Sequence, residues 1–127
     1  MSTNFNKGLG EEIETEMLRC QGLMESIMTN SEGTFELFVR KGSLQKAWPV
    51  PRKNVSGLNE DDDEGIRFST YKDMVNSLVG TISVQEEAFE FGYIIISYKA
   101  NVEGDELDKF KVRFQDEIHF AREKKKK

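Results

Sequence analysis

Thr34-Phe35-Glu36-Leu37-Phe38-Val39-Arg40 is the stretch on which the fold turns. Phe35, Leu37 and Val39 alternate with Glu36 and Arg40, as a strand with one buried face requires. Lys41-Gly42-Ser43 supplies a turn, and Leu44 to Val50 completes a hairpin. Pro49 and Pro51 confine the far end of that hairpin to a sheet edge or a bulge, because proline donates no ladder hydrogen bond.

Working back from the hairpin, Leu9, Ile13, Met17, Cys20, Met24 and Ile27 recur at helical spacing and predict one helix over 11–29. Glu11, Glu12 and Glu14 suit its positive N-terminal end, and Asn30-Ser31-Glu32-Gly33 is a stop. Residues 1–10, polar and carrying Gly8 and Gly10, read as a flexible leader.

Working forward, residues 52–64 read as a loop whose acidic part, 58–64, includes Glu60-Asp61-Asp62-Asp63-Glu64, a run no core would bury. Ile66-Arg67-Phe68 is a candidate short strand. Ser69 or Thr70 can then cap a helix carrying Tyr71, Met74, Val75 and Leu78 and ending at Gly80. Phe89 to Tyr98 is apolar at both parities, as a central strand covered on both faces would be.

Asp105 to Arg122 satisfies two periods. Phe110, Val112, Phe114, Ile118 and Phe120 fit a strand interrupted by Asp116, whereas Leu107, Phe110, Phe114, Ile118 and Ala121 fit a helix without interruption. Its length, the capping-like pair Asp105 and Asp108, and the terminal lysines favour the helix. The fold expected is therefore α+β: an antiparallel sheet of three to five strands flanked by N-terminal and C-terminal helices, with the helix near 70–79 as an excursion. One domain over 11–122 would end in a basic tail, 123–127.

Hydrophobic residues make up 37% of the 127 and charged residues 32%, a polar balance offset by nine Phe, three Tyr and one Trp. Those aromatics are more than a disordered chain would carry. The net charge of −5 is uneven, since the tail is basic and the rest acidic. Such a body repels nucleic acid unless its cations share one face. No signal peptide and no run long enough to span a bilayer can be read, and the single Cys20 cannot form an internal disulfide. A cytoplasmic protein with no membrane attachment is expected.

The chemistry of catalysis is thinly supplied. His119 and Cys20 are the only histidine and cysteine, so a nucleophile-base pair and a zinc site both lack residues. A calcium loop read from Glu60 has Gly65 at its sixth position but Tyr71 where a bidentate Glu should stand. Gly8-Leu9-Gly10 lacks the preceding strand of a phosphate loop, and Glu11 and Glu12 would repel a phosphate. No catalytic residue, metal or cofactor is expected.

What remains is binding. A protein partner is the leading expectation, with Trp48 as the candidate interface anchor, although tryptophan in such a hairpin more often turns to the core. The alternative is RNA, met by Arg40, Lys41, Lys46, Arg52 and Lys53 around the hairpin at 40–53.

A resemblance bears on that alternative. Gly33-Thr34-Phe35-Glu36-Leu37-Phe38-Val39-Arg40-Lys41, followed by Pro49-Val50-Pro51-Arg52-Lys53 and Val55-Ser56-Gly57, resembles the first strand and basic loop of the 14-kDa Alu-domain subunit of the signal recognition particle. Asp105-Glu106-Leu107-Asp108-Lys109-Phe110 is similar to that family's last helix. The resemblance implies an α-β-β-β-α order, and it implies that Arg40, Lys41, Arg52 and Lys53 touch RNA. Residues 58–84 would then be an insertion, and the acidic body departs from the strongly basic family.

Overall fold

A computed structural model describes residues 6–50, 65–85 and 87–116. In chain order they form α1 (Lys7–Arg19), α2 (Gln21–Met28), β1 (Glu32–Arg40), β2 (Ser43–Val50), α3 (Phe68–Ser83), β3 (Phe91–Ala100) and β4 (Leu107–Asp116). The strands make a four-stranded sheet in the order β2-β1-β3-β4, antiparallel at every pairing. The α+β class read from the sequence is the class observed. The α-β-β-β-α order is not, because α3 stands between β2 and β3 and the last described element is a strand.

The long N-terminal stripe is interrupted. Cys20 takes an extended backbone (φ −79°, ψ 97°), ending α1 and starting α2 one residue later. The break shifts the phase of the stripe, so α2 buries Leu23 and Ile27 while Met24 is only half-buried. At the other end, α1 begins at Lys7 rather than 11, and Leu9 and Gly10, read as leader, are buried in it. A Cβ on Gly10 would lie 3.2 Å from Val79 and 3.3 Å from Ser83, so this glycine lets α1 approach α3 closely. Gly8-Leu9-Gly10 thus belongs to a helix and its packing, not to a phosphate loop. Buried Asn6 has both ends of its amide used: Nδ2 donates to the Glu87 carbonyl at 3.0 Å, and Oδ1 accepts from the Phe89 amide at 2.9 Å. That satisfied pair ties the start of α1 to the approach to β3.

One face of the sheet is the core. Phe35, Leu37 and Val39 of β1 and Ile94, Ile96 and Tyr98 of β3 are buried there. They pack against Ile13 and Met17 of α1, Ile27 of α2, and Tyr71, Met74, Val75, Leu78 and Ile82 of α3. Contributing that many core side chains, α3 is a structural wall and not an excursion. It starts at Phe68, so Ile66-Arg67-Phe68 is no strand, and it runs through Gly80 to Ser83.

Two tyrosines join the helices to this core through their hydroxyls. The Tyr71 hydroxyl donates to the Met17 carbonyl at 2.7 Å, and the Tyr98 hydroxyl to the Ile27 carbonyl at 2.7 Å. Both carbonyls lie in the last turn of their helices, where the regular i to i+4 partner is missing; that of Ile27 also accepts from the Asn30 N–H at the longer distance of 3.3 Å. Burial, helped by nearby Cys20 and Tyr98, pushes the Tyr71 phenol well above its ordinary pKa and keeps it a neutral donor. Tyr98→Phe is expected to lower stability by about 1–2 kcal/mol, because it removes a hydroxyl from a buried carbonyl. Urea unfolding checks this, and an unchanged midpoint would show that the bond contributes nothing.

The closing segment corrects the sequence reading. Leu107–Asp116 is strand β4, aligned so that Ile94 faces Phe114, Ile96 faces Val112 and Tyr98 faces Phe110. Asp105 does not cap a helix. Its backbone N–H donates to Asn101 Oδ1 at 3.0 Å, and its carboxylate accepts from Asn101 Nδ2 at 2.6 Å. With Gly104 at φ 74°, this is a β3–β4 turn. Residues 117–122 and the tail lie outside the described residues, as do 51–64. Among the described residues no helix is long and apolar enough to cross a membrane.

Candidate functional site

The second face of the sheet follows from the same alternation that builds the core. At the opposite parity β1 carries Thr34, Glu36, Phe38 and Arg40, and β3 carries Phe91, Tyr93, Ile95, Ser97 and Lys99. β2 adds Lys46, Trp48 and Val50 opposite Phe38, Glu36 and Thr34. β4 adds Lys109, Lys111, Arg113 and Gln115 opposite Lys99, Ser97, Ile95 and Tyr93. None of the apolar side chains here belongs to the core cluster or packs against it, although Phe38, Trp48, Phe91, Tyr93 and Ile95 are only half-buried. The expectation that β3 is covered on both faces is therefore not met among the described residues.

Four aromatics on this face touch in series. Phe38 stands edge-on to Phe91 at 5.9 Å, Phe38 and Tyr93 lie 5.2 Å apart at 37°, and Trp48 meets Tyr93 edge-on at 6.4 Å. These separations are those of favourable ring pairs. Trp48 consequently looks away from the core, against the usual burial of tryptophan.

Cations surround the series. Arg40 and Lys46 are exposed at the hairpin end, and Lys99, Lys109, Lys111 and Arg113 are exposed towards and along β4. Among the described residues, the carboxylates on the face are Glu36, between Trp48 and Ile95, and Glu32, opposite Lys99. Lys41 sits at the corner with φ 57°, followed by Gly42 at φ 74°. Two successive positive φ values are what a tight two-residue hairpin turn demands, so the turn explains the backbone of Lys41.

Of the residues singled out in the sequence, the structure brings Arg40, Lys46 and Trp48 to one face, with Lys41 at its corner. Arg52 and Lys53 lie outside the described residues, as do His119 and the acidic run 60–64. The sequence reading missed Phe38, Phe91 and Tyr93, and it missed Lys99, Lys109, Lys111 and Arg113. The signal was present in Lys109-Phe110-Lys111-Val112-Arg113-Phe114, where cations alternate strictly with apolar residues.

Elsewhere, Leu18, Met24, Met28 and Ile66 with Arg19 and Glu25 line a wide, shallow cleft beside the α1–α2 break. Cys20 is half-buried and unpaired in any disulfide. Among the described residues no group of three or more His, Cys, Asp or Glu side chains could hold a metal ion. No protein-family model matches the chain, and neither a curated protein nor a solved structure matches it.

Proposed function

We propose that this chain is a non-enzymatic, intracellular binding module that takes RNA on the second face of its sheet. The observation that supports this most is the segregation of charge. A chain with a net charge of −5 gathers Arg40, Lys46, Lys99, Lys109, Lys111 and Arg113 around one aromatic cluster, with Glu32 and Glu36 as the carboxylates among them. Phosphate neutralisation supplies most of the affinity of such contacts, and aromatic rings beside the cations give bases a surface to meet. The acidic remainder of the body then helps to orient the molecule by opposing a polyanion away from this face.

A protein partner anchored by Trp48 is the second reading, because an edge-on aromatic pair also suits a protein interface. Lysine, however, is depleted at protein interfaces, and this face carries Lys46, Lys99, Lys109 and Lys111. That composition favours phosphate.

Titration of the full chain with RNA at several salt concentrations tests the proposal. The logarithm of the association constant should fall linearly with the logarithm of salt, by about 0.7 for each phosphate neutralised, or about 2–4 in all. Absence of RNA binding at low salt, together with a protein partner lost on Trp48→Ala, would overturn it in favour of the second reading.

A further inference from the structure

Resting on that RNA reading, we infer that the second face recognises single strands, stacking unpaired bases on the Phe91–Phe38–Tyr93–Trp48 series and discriminating against duplex.

The sheet is too wide to read base edges in the major groove of a duplex. Three inter-strand spacings make a four-stranded sheet about 14 Å wide before side chains are added. The major groove of B-form DNA is about 12 Å wide and admits a two-stranded ribbon at most. The deep, narrow major groove of A-form RNA is more restrictive still. Pressed flat against a duplex, the sheet would present its aromatic centre to charged phosphates, which gain nothing from it.

A single strand reverses that mismatch. Its bases have free π-faces, and stacking on aromatic side chains is tolerant of sequence. Phe38 and Tyr93 lie in facing positions at the middle of the sheet, while Trp48 and Phe91 extend the series in two directions. Lys46 neighbours Phe38 across the strands, and Arg113 lies beyond Ile95 on the side of Tyr93 away from Trp48. Phosphates of a strand whose bases lie on the rings would therefore reach cations on either side of the cluster. Glu36 beside Trp48 opposes a phosphate there but can accept a hydrogen bond from a base amino group.

The molecule carries its own probe, since Trp48 is its single tryptophan. The full chain is titrated with an RNA strand, the same sequence as DNA, and the duplex of each, following tryptophan emission and affinity together. Single strands are expected to quench the emission and to bind at least about tenfold more tightly than duplex, the size of one stacked base. Tyr93→Leu, which keeps apolar volume but removes the ring, should weaken single-strand binding about tenfold and leave duplex binding unchanged. Phe91→Leu at the end of the series serves the same purpose if Tyr93→Leu fails to fold. Equal affinity for duplex and single strand, or tight single-strand binding with emission unchanged, overturns the stacking inference while leaving the RNA reading standing. Failure of every nucleic acid to bind at low salt overturns both.

Discussion

Reversing Lys111 and Arg113 to glutamate is expected to abolish RNA binding at physiological salt while leaving the melting temperature within about 2 °C of the parent. Both side chains are exposed on β4 at the same parity. Positions two apart along a strand lie about 6.8 Å from each other on one side of the sheet, so they form one electrostatic unit. The double change removes two phosphate contacts and adds two repulsive charges. Each lost contact flattens the salt dependence by about 0.7–1, and together the changes should weaken binding by at least about 100-fold. Exposed substitutions of this kind usually alter stability by no more than about 0.5 kcal/mol. Fluorescence anisotropy and a circular dichroism melt on the same preparation separate the two effects. The control is Lys7→Glu with Lys72→Glu, an equal change of net charge placed on α1 and α3, the helices that pack on the other face. If the control pair weakens binding as much, affinity follows net charge and the face has no special role.

The β1–β2 hairpin was legible because its signals are local. Alternation in Phe35, Leu37 and Val39 and the turn at Lys41-Gly42 depend on neighbours in sequence, and the structure reproduces both. β4 was not legible for a physical reason: Phe110 and Phe114 stand four apart, a spacing that satisfies a helix face and a strand face alike. Pairing with β3 decides between them, and that pairing is a long-range fact. The turn at Asn101 was the overlooked local clue, since Asn101 accepts from the Asp105 and Glu106 amides and closes a hairpin where Asp105 alone suggested a cap.

The candidate site inherits the same ambiguity. Read as a helix, Lys109 and Arg113 share one side while Lys111 points to the opposite one, so the three form no continuous row. Read as a strand, they form a row beside Tyr93 and Ile95. The apolar character of Phe91, Tyr93 and Ile95 is ambiguous in a related way, because a strand covered on both faces and one whose second face is only half-buried have the same composition. Among the described residues, it is the packing of α1, α2 and α3 against the opposite face that tells them apart.

The largest effect on folding is expected at Gly92, where the sequence offered no warning. Gly92 lies in β3 between Val39 of β1 and Asp116 of β4, and its φ of 147° is one that L side chains rarely adopt. A Cβ there would collide with the Gln115 carbonyl of β4 and touch the Phe89 ring. Phe89 has no room to retreat, being buried and edge-on to Phe114 at 5.4 Å. Gly92→Ala therefore incurs backbone strain of roughly 1–3 kcal/mol. Relieving the collision would also push β4 away from β3 and sacrifice ladder hydrogen bonds at about 1 kcal/mol each. A loss of about 3–5 kcal/mol is a large part of the stability of a domain, which is typically about 5–15 kcal/mol. The contrast is Gly80→Ala, in the exposed interior of α3 with nothing within 4 Å of its Cβ. There alanine should stabilise by up to about 1 kcal/mol. Urea unfolding of the pair reads both signs, and a Gly92→Ala midpoint equal to the parent would show that β3 and β4 do not approach as closely as described. Because β4 carries Lys111 and Arg113, a Gly92→Ala protein that still folds should also lose RNA affinity if the proposed face is the one that binds, linking the register of one glycine to that face.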